Sequence, residues 1–399
     1  MTESVGRERR GAPAGLVHSA LAVGGFAIGT TEFATMSLLP FFARDLGISA
    51  PAAGHVISAY ALGVVVGAPL IAILSARMAR RTILILLMTV FAVANGLSAL
   101  APTYHWMLLF RFLSGLPHGA YFGIAALVAA SLVPVERRTQ AVGRVLLGLT
   151  IATIIGVPFA NWVGQAFGWR WGFAVVAFLA TLTATLVAIF APRDRVEAGA
   201  SPLRELGALK RGQVWLTLAI GAIGFGGLFS VYTYLASTLM AVTGVSSAAV
   251  PAALACFGIG MTAGNLIAPR FADRALMPTA GALLVWSAVA LALYPLAAGQ
   301  LWSVLLDVTA IGFGGALGTV LQTRLMDVAG DAQALAAALN HSAFNVANAL
   351  GPFLGGMAIA AGYGWTSTGW WAAGWRWRDW QSGGCPRKKA HPRDAASSE

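Results

Sequence analysis

Apolar residues in this chain come in long runs separated by short polar breaks. The runs fall at about 16–40, 52–74, 82–101, 105–131, 141–165, 171–191, 214–240, 248–268, 279–298, 302–322 and 333–361. A helix of ~20 residues at ~1.5 Å per residue crosses a hydrocarbon core of ~30 Å. The pattern therefore predicts eleven membrane-spanning helices, since a backbone in lipid must satisfy its own hydrogen bonds. The longest break, 192–213, carries Pro192, Pro202 and mixed charge and divides the spans six and five. The expected organisation is an N-terminal segment (1–15), a six-helix bundle (16–191), a linker (192–213), a second helix bundle (214–361) and an atypical tail (362–399).

The polar breaks carry the charge. One set of alternate loops holds seventeen Arg and Lys residues, among them Arg77, Arg80, Arg81, Arg137, Arg138, Arg211, Arg270, Arg274 and Arg324, against only Arg44 and Arg170 in the other set. By the positive-inside bias, the N-terminus and the linker are expected in the cytoplasm. The net charge of +11 is thus accounted for by membrane orientation, and no nucleic-acid partner is expected. With 58% hydrophobic and 10% charged residues, against about 25% charged in soluble domains, the chain reads as a polytopic membrane protein. The first apolar run is too long for a cleaved leader and reads as a retained helix. Two cysteines, Cys256 in a span and Cys385 in the tail, exclude a disulfide framework and a cysteine-based zinc site. No nucleotide-binding loop, nucleophile elbow or metal-ligand cluster is present in the sequence, so neither an enzyme nor a cofactor is expected.

The second part repeats the first. A constant shift of 197 residues carries Leu21-Ala22-Val23-Gly24 onto Leu218-Ala219-Ile220-Gly221, Gly63 and Gly67 onto Gly260 and Gly264, Arg77 onto Arg274, and Gly115 onto Gly312. One offset that covers helix and loop positions alike points to parallel repeats, the plan of secondary transporters in which two bundles rock about a midplane site.

Certain motifs carry a family resemblance. Arg77-Met78-Ala79-Arg80-Arg81 matches the basic end of a loop motif between spans two and three, with Ala72, Ala76 and Ala79 where the motif has glycines and an acid. Asp273-Arg274 keeps the acid in the second half. Arg111 with Gly115 matches a fourth-span motif, Gly148…Gly156-Val157-Pro158 a fifth-span exporter motif, and Gly168-Trp169-Arg170 follows as in many drug exporters. The chain resembles the major facilitator superfamily over about 16–361, and Gly29-Thr30-Thr31-Glu32-Phe33 makes it similar to the twelve-span drug:proton antiporters of the arabinose-efflux and chloramphenicol-exporter group. The resemblance implies an all-α fold of two pseudo-symmetric six-helix bundles, a cavity lined by spans one, four, seven and ten, and a gating loop at Arg77, Arg80, Arg81, Asp273 and Arg274 that latches the outward-facing state. It implies a bacterial inner or plasma membrane location, with the single chain as the working unit.

Three formal charges lie well inside the spans: Glu32, Arg111 and Asp307, all at similar depth in the outer half. Such groups are costly in lipid and are functional candidates by default. Glu32 is the candidate proton-binding acid and Arg111 its modulator, because the arginine favours the charged carboxylate while desolvation opposes it. A static ion pair that fixes packing is the alternative, and for Asp307 simple hydration. His118, seven residues after Arg111 on the same helical face, is a candidate relay or cargo contact, or else a packed core residue. His341, Asn345 and Asn348 form a polar stripe that either glues helices or lines the cavity. Phe26, Tyr60, Tyr232 and Tyr234 are candidate cavity aromatics, which would favour amphipathic over highly hydrated cargo. The pairs Gly63/Gly67 and Gly260/Gly264 are expected at the interface of the moving bundles. Gly156 with Pro158, and Gly351 with Pro352, are expected helix kinks.

The tail breaks the plan. A twelfth span is due near 364–385, yet six tryptophans and two arginines crowd into residues 365–380, leaving too short an apolar run to span. The expectation is a last helix lost or altered, with a reading-frame change near Trp370 or an interfacial Trp/Arg segment as its origin. Taken together, the sequence points to export of small amphipathic compounds, phenicol-like ones foremost, in exchange for protons. A sugar or metabolite efflux permease is the second reading, and a non-transporting sensor or degenerate transporter the third.

Overall fold

The computed structural model describes residues 12–48, 50–193, 205–246 and 249–372. Most of the N-terminal segment, the middle of the linker and the Trp/Arg tail from residue 373 lie outside the described residues. Among the described residues every regular element is helical. Ten helical stretches are long and apolar enough to cross a membrane.

The first six spans are α1 (Ala14–Asp45), α2 (Ala50–Leu74), α3 (Arg80–Ala99), α4 (Tyr104–Ser131), a fifth span built of α5 (Arg138–Ile151) and α6 (Val157–Phe167), and α7 (Trp169–Phe190). The second set begins with α8 (Gly212–Gly224) and α9 (Gly226–Thr238), which form one span, then α10 (Val250–Ala272) and α11 (Leu276–Ala297). Next come α12 (Leu301–Phe313) and α13 (Leu317–Val328), again one span, and then α14 (Gln333–Ala358). The predicted eleventh span forms a helix, α14, but its histidine and asparagines leave it outside those ten stretches.

Three spans break where the sequence weakens the helix. Between α5 and α6 the chain makes a π-turn over Ala152–Gly156, just before Pro158, whose ring cannot donate a backbone hydrogen bond. Between α8 and α9 it turns at Phe225, flanked by Gly224, Gly226 and Gly227. Between α12 and α13 it tightens to a 3₁₀ turn over Gly314–Ala316. Glycine lowers the cost of such departures from α geometry. Pro352 sits inside α14, whose far end passes into a π-turn over Ile359–Tyr363.

The repeat is physical. A Cβ on Gly63 would run into the Phe112 carbonyl, one on Gly67 into the Leu116 carbonyl, and one on Gly115 into the Tyr60 carbonyl. In the second half the same contacts recur as Gly260 with Thr309, Gly264 with Phe313, and Gly312 with Phe257. Every glycine and every carbonyl partner is displaced by the same 197 residues. These glycines hold α2 on α4 and α10 on α12 within each bundle, which corrects their expected place between bundles. Sequence spacing gives the small face of a helix but not which helix meets it.

The bundles meet through other small residues. On α4, a Cβ at Gly123 would come within 2.7 Å of Ala338 N on α14, and one at Gly119 within 3.2 Å of the Ala338 carbonyl oxygen. Gly143 on α5 faces Pro269 and Asn265 of α10, and Gly258 of α10 faces Thr153 and Ile154. The Ala338 and Pro269 contacts fall towards the arginine-rich end. Leu62, Leu74, Ile223, Leu296 and Leu306 stand exposed on outward faces, where lipid supplies the apolar surroundings.

The atypical stretch is not loose throughout. Ser367–Ala372 forms a short helix, α15, that packs on α9, α11 and α14. Thr368 is fully buried, and Gly369 lies so near the Leu291 carbonyl that a Cβ there would sit 2.5 Å from it. Small side chains let the segment dock where a twelfth span would begin.

Candidate functional site

A narrow cavity of about 80 Å³ lies between the bundles. The first bundle contributes Glu32 and Phe33 from α1, His118 from α4, and Leu146, Leu149 and Thr150 from α5. The second contributes Phe225, Phe229 and Tyr232, Phe257 and Met261, Thr319, and His341, Phe344 and Asn345. Phe33 meets Tyr232 edge-on at 5.7 Å between centroids, joining the two halves across the cavity.

Glu32 is half-buried on this wall and makes no hydrogen bond or ion pair with a described residue. Arg111 is close enough for each to feel the other's charge, but its partners are different. Its Nη1 donates to Thr31 Oγ1 at 3.1 Å and to Ser114 Oγ at 3.4 Å, and its guanidinium lies 4.3 Å over the Tyr60 ring. Phe173 flanks it from α7 at 5.5 Å. Thr31 in turn donates to Asn95 Oδ1 at 2.8 Å. The arginine is thus a caged cation, held by neutral oxygens and π faces, with its charge left over for the cavity.

Tyr60 is buried behind the wall, where it links Arg111 to His118. Its Oη shares a 2.9 Å hydrogen bond with His118 Nδ1. The His118 ring then lies 5.3 Å from the ring of His341 on the opposite bundle. A chain of contacts therefore runs from Thr31 through Arg111, Tyr60 and His118 to His341, hydrogen-bonded at Arg111–Thr31 and Tyr60–His118 and made by ring contacts at the other steps.

Other candidates fall elsewhere. Phe26 lies in the groove between α1 and α5, against Gly156. Tyr234 donates to the Pro352 carbonyl at 2.9 Å and packs on Trp365. Asp307 is buried in the core of the second bundle, in the electrostatic neighbourhood of Tyr294, with its Oδ2 unpartnered. The structure does not bring it to Glu32 and Arg111. Its repeat counterpart is Phe110, one residue before Arg111, so it points ~100° away around the helix. A Cβ on Gly156 would strike Thr30 Oγ1, and one on Gly351 the Gly226 carbonyl.

At the arginine-rich end, Arg77 and Arg274 are exposed and Arg81 donates to the Ala188 carbonyl. Asp273 crosses between bundles. Its Oδ1 accepts from Thr139 N at 2.8 Å, and its Oδ2 accepts from Gln140 N at 3.3 Å and from Gln140 Nε2 at 2.9 Å. This caps the start of α5, where free N–H groups and the helix dipole favour an anion. Sequence reasoning missed a second cap: Glu205 of the linker accepts from Leu335 N, in the first turn of α14, at 2.9 Å. At the opposite end Asp45 receives Trp169 Nε1 at 3.0 Å and forms an ion pair with Arg170, tying α1 to α7.

Two helix bundles around a cavity between them, whose wall carries a carboxylate unpaired among the described residues, define a polytopic small-molecule transporter. Residues 21–277 match the model of the Major Facilitator Superfamily. The chain is 42% identical over 353 residues to the inner membrane transport protein YdhP of Escherichia coli (strain K12), covering 87% of this chain and 90% of that one. It is 35% identical over 344 residues to a chloramphenicol resistance protein of Streptomyces lividans, covering 84% and 86%. The fold superposes on the proton:xylose symporter XylE with a TM-score of 0.70 at 16% identity, over 92% of this chain and 95% of that one. The chain belongs to the major facilitator superfamily and is a multi-pass membrane transporter.

Proposed function

We propose that the chain exports small amphipathic compounds, phenicol-like antibiotics foremost, in exchange for protons by alternating access. It works as a single chain in the bacterial inner or plasma membrane with its N-terminus in the cytoplasm. The observation that carries the reading is Glu32: a carboxylate with no hydrogen-bonding or ion-pairing partner among the described residues, in the wall of an aromatic-lined cavity between two bundles. Burial penalises its charge and the nearby Arg111 favours it, so opening the cavity to water on one side and then the other shifts the balance between binding and releasing a proton. Apolar and aromatic lining from α9 and α10 suits a cargo with a large apolar body. The name of the Streptomyces lividans relative supports a phenicol-like cargo, and the arginine bias of alternate loops supports the orientation.

The test is drug susceptibility in an exporter-deficient host, comparing the chain with Glu32→Gln across phenicols and unrelated organic cations. Protection that Glu32→Gln abolishes at equal membrane abundance is expected. Equal protection by the variant overturns the proton role of Glu32. Absence of protection from either form, despite good insertion, overturns drug export.

A further inference from the structure

On the second bundle, two cavity-lining residues carry buried polar atoms that no described residue satisfies. His341 Nε2 and Asn345 Oδ1 are buried without a hydrogen-bond partner. Their residues are 3% and 4% exposed and line the cavity one turn apart on α14. Both are held in place. Asn345 Nδ2 donates to the His341 carbonyl at 2.9 Å, which fixes the amide so that its oxygen is the free atom. The His341 ring stacks on Phe122 at 4.4 Å with 12° between planes, and Phe344 meets it edge-on at 5.7 Å. Buried polar atoms are almost always satisfied, and exceptions in a cavity wall mark where a ligand group belongs.

We propose that Asn345 Oδ1 and His341 Nε2 recognise the polar end of the cargo. The pair takes a neutral head that offers an O–H to Asn345 and a second hydrogen-bonding group to His341, as in an amide-alcohol on an aromatic body. The amide oxygen accepts only, so it selects for a donor. An anionic head would face that oxygen and Glu32 together. The inference rests on the export reading, and it names the cargo class at the same cavity.

The test measures binding of chloramphenicol, its diacetyl ester and tetraphenylphosphonium to the purified full-length chain in lipid nanodiscs. The wild type is expected to bind chloramphenicol best and to lose roughly 10-fold or more for the diacetyl ester, which lacks both hydroxyl donors. Asn345→Leu and His341→Phe are each expected to weaken chloramphenicol roughly 10- to 100-fold while leaving tetraphenylphosphonium unchanged. The ester comparison uses the wild type alone, so it decides even if a variant fails to fold. Equal binding of chloramphenicol and its ester, or better binding of the cation than of either, overturns the proposal. Unchanged affinity in both variants overturns it too, while leaving export intact if susceptibility still depends on Glu32.

A separate observation concerns the linker. The 197-residue register places Ala76 opposite Asp273, and Ala336 opposite Thr139. Asp273 caps α5 across the bundle interface, but Ala76 has no carboxylate with which to cap α14. Ala72, one turn before Ala76, already shares a core cluster with Leu335 and Ala336 at that helix start. Glu205, bonded to Leu335 N, fills the vacancy from outside the repeat. We infer that the linker carboxylate replaces the missing acid of the loop between α2 and α3, making the linker the second half of the latch at this end. Glu205→Ala is expected to raise labelling of a cysteine placed at Ala338, in a Cys256→Ser, Cys385→Ser background, by several-fold, and adding Ala76→Asp to restore protection. Unchanged labelling in Glu205→Ala, or no restoration by Ala76→Asp, overturns this.

Discussion

Arg111 and Glu32 face each other's charge without touching: the guanidinium is spent on Thr31, Ser114 and the Tyr60 ring, and the carboxylate is left to the cavity. A direct ion pair would have fixed the carboxylate in its charged form. The cage also makes the arginine hard to replace. Arg111→Lys keeps the charge but loses the planar stack and the forked donors. We expect Arg111→Ala to lower stability by about 2 kcal/mol or more, from a buried cation–π contact and hydrogen bonds to a charged group. Arg111→Lys is expected to fold but to transport poorly. Thermal unfolding in detergent separates the two, and transport by a folded Arg111→Lys equal to wild type would count against the cage.

Asp307 provides the contrast. It stands in the core of the second bundle and does not line the cavity. Asp307→Asn is expected to leave cargo binding within about 0.5 kcal/mol of wild type, as for sites that share no partners. A clear loss of affinity in titrations would place it in the machinery after all.

Gly63 and Gly260 make one contact twice. Gly63→Leu and Gly260→Leu should each destabilise by about 1–3 kcal/mol, because the facing carbonyl cannot retreat. Gly281 on α11 has nothing near its missing Cβ, and Gly281→Ala should stabilise by about 0.5–1 kcal/mol through helix propensity. Melting temperatures of the purified proteins test this, and similar shifts in all three would refute it.

The Asp45 clamp gives a pH signature. Its hydrogen bonds, first from Arg170 and then from Trp169, hold the Asp45 carboxyl below its ordinary range. A lowered acid contributes stability above its unfolded value and loses it as pH falls through the folded one. The tie between α1 and α7 should therefore be intact at neutral and mildly acidic pH and released only in strong acid. Arg170→Gln should remove the difference between pH 7 and pH 3 in α1–α7 cross-linking. A tie already lost near pH 6 would contradict the assignment.

The spans were legible because lipid demands long apolar helices, and the repeat because one offset runs through helices and loops alike. Direction around each helix was not legible. Tyr232 lines the cavity and Tyr234, two residues on and ~200° around, faces α14 instead. Asp307 was placed with Arg111 on depth alone, although a one-residue slip in register turns it away. Glu205 was hidden because a linker has no register, yet the alanine at position 76 was a signal that some other acid was needed.

The glycine contacts repeated at an offset of 197 also show where the halves part company. The helix-on-helix joints are copied faithfully, but the polar side chains are not. Glu32 is matched by Phe229, Arg111 by Val308, His118 by Gly315, and Asn345 by Gly148. A duplicated frame has kept its mechanics and divided its labour. On the readings above, the first half handles the proton and the second inspects the cargo, so that exchange between them is negotiated where the halves touch around the cavity, at His118 with His341 and Phe33 with Tyr232.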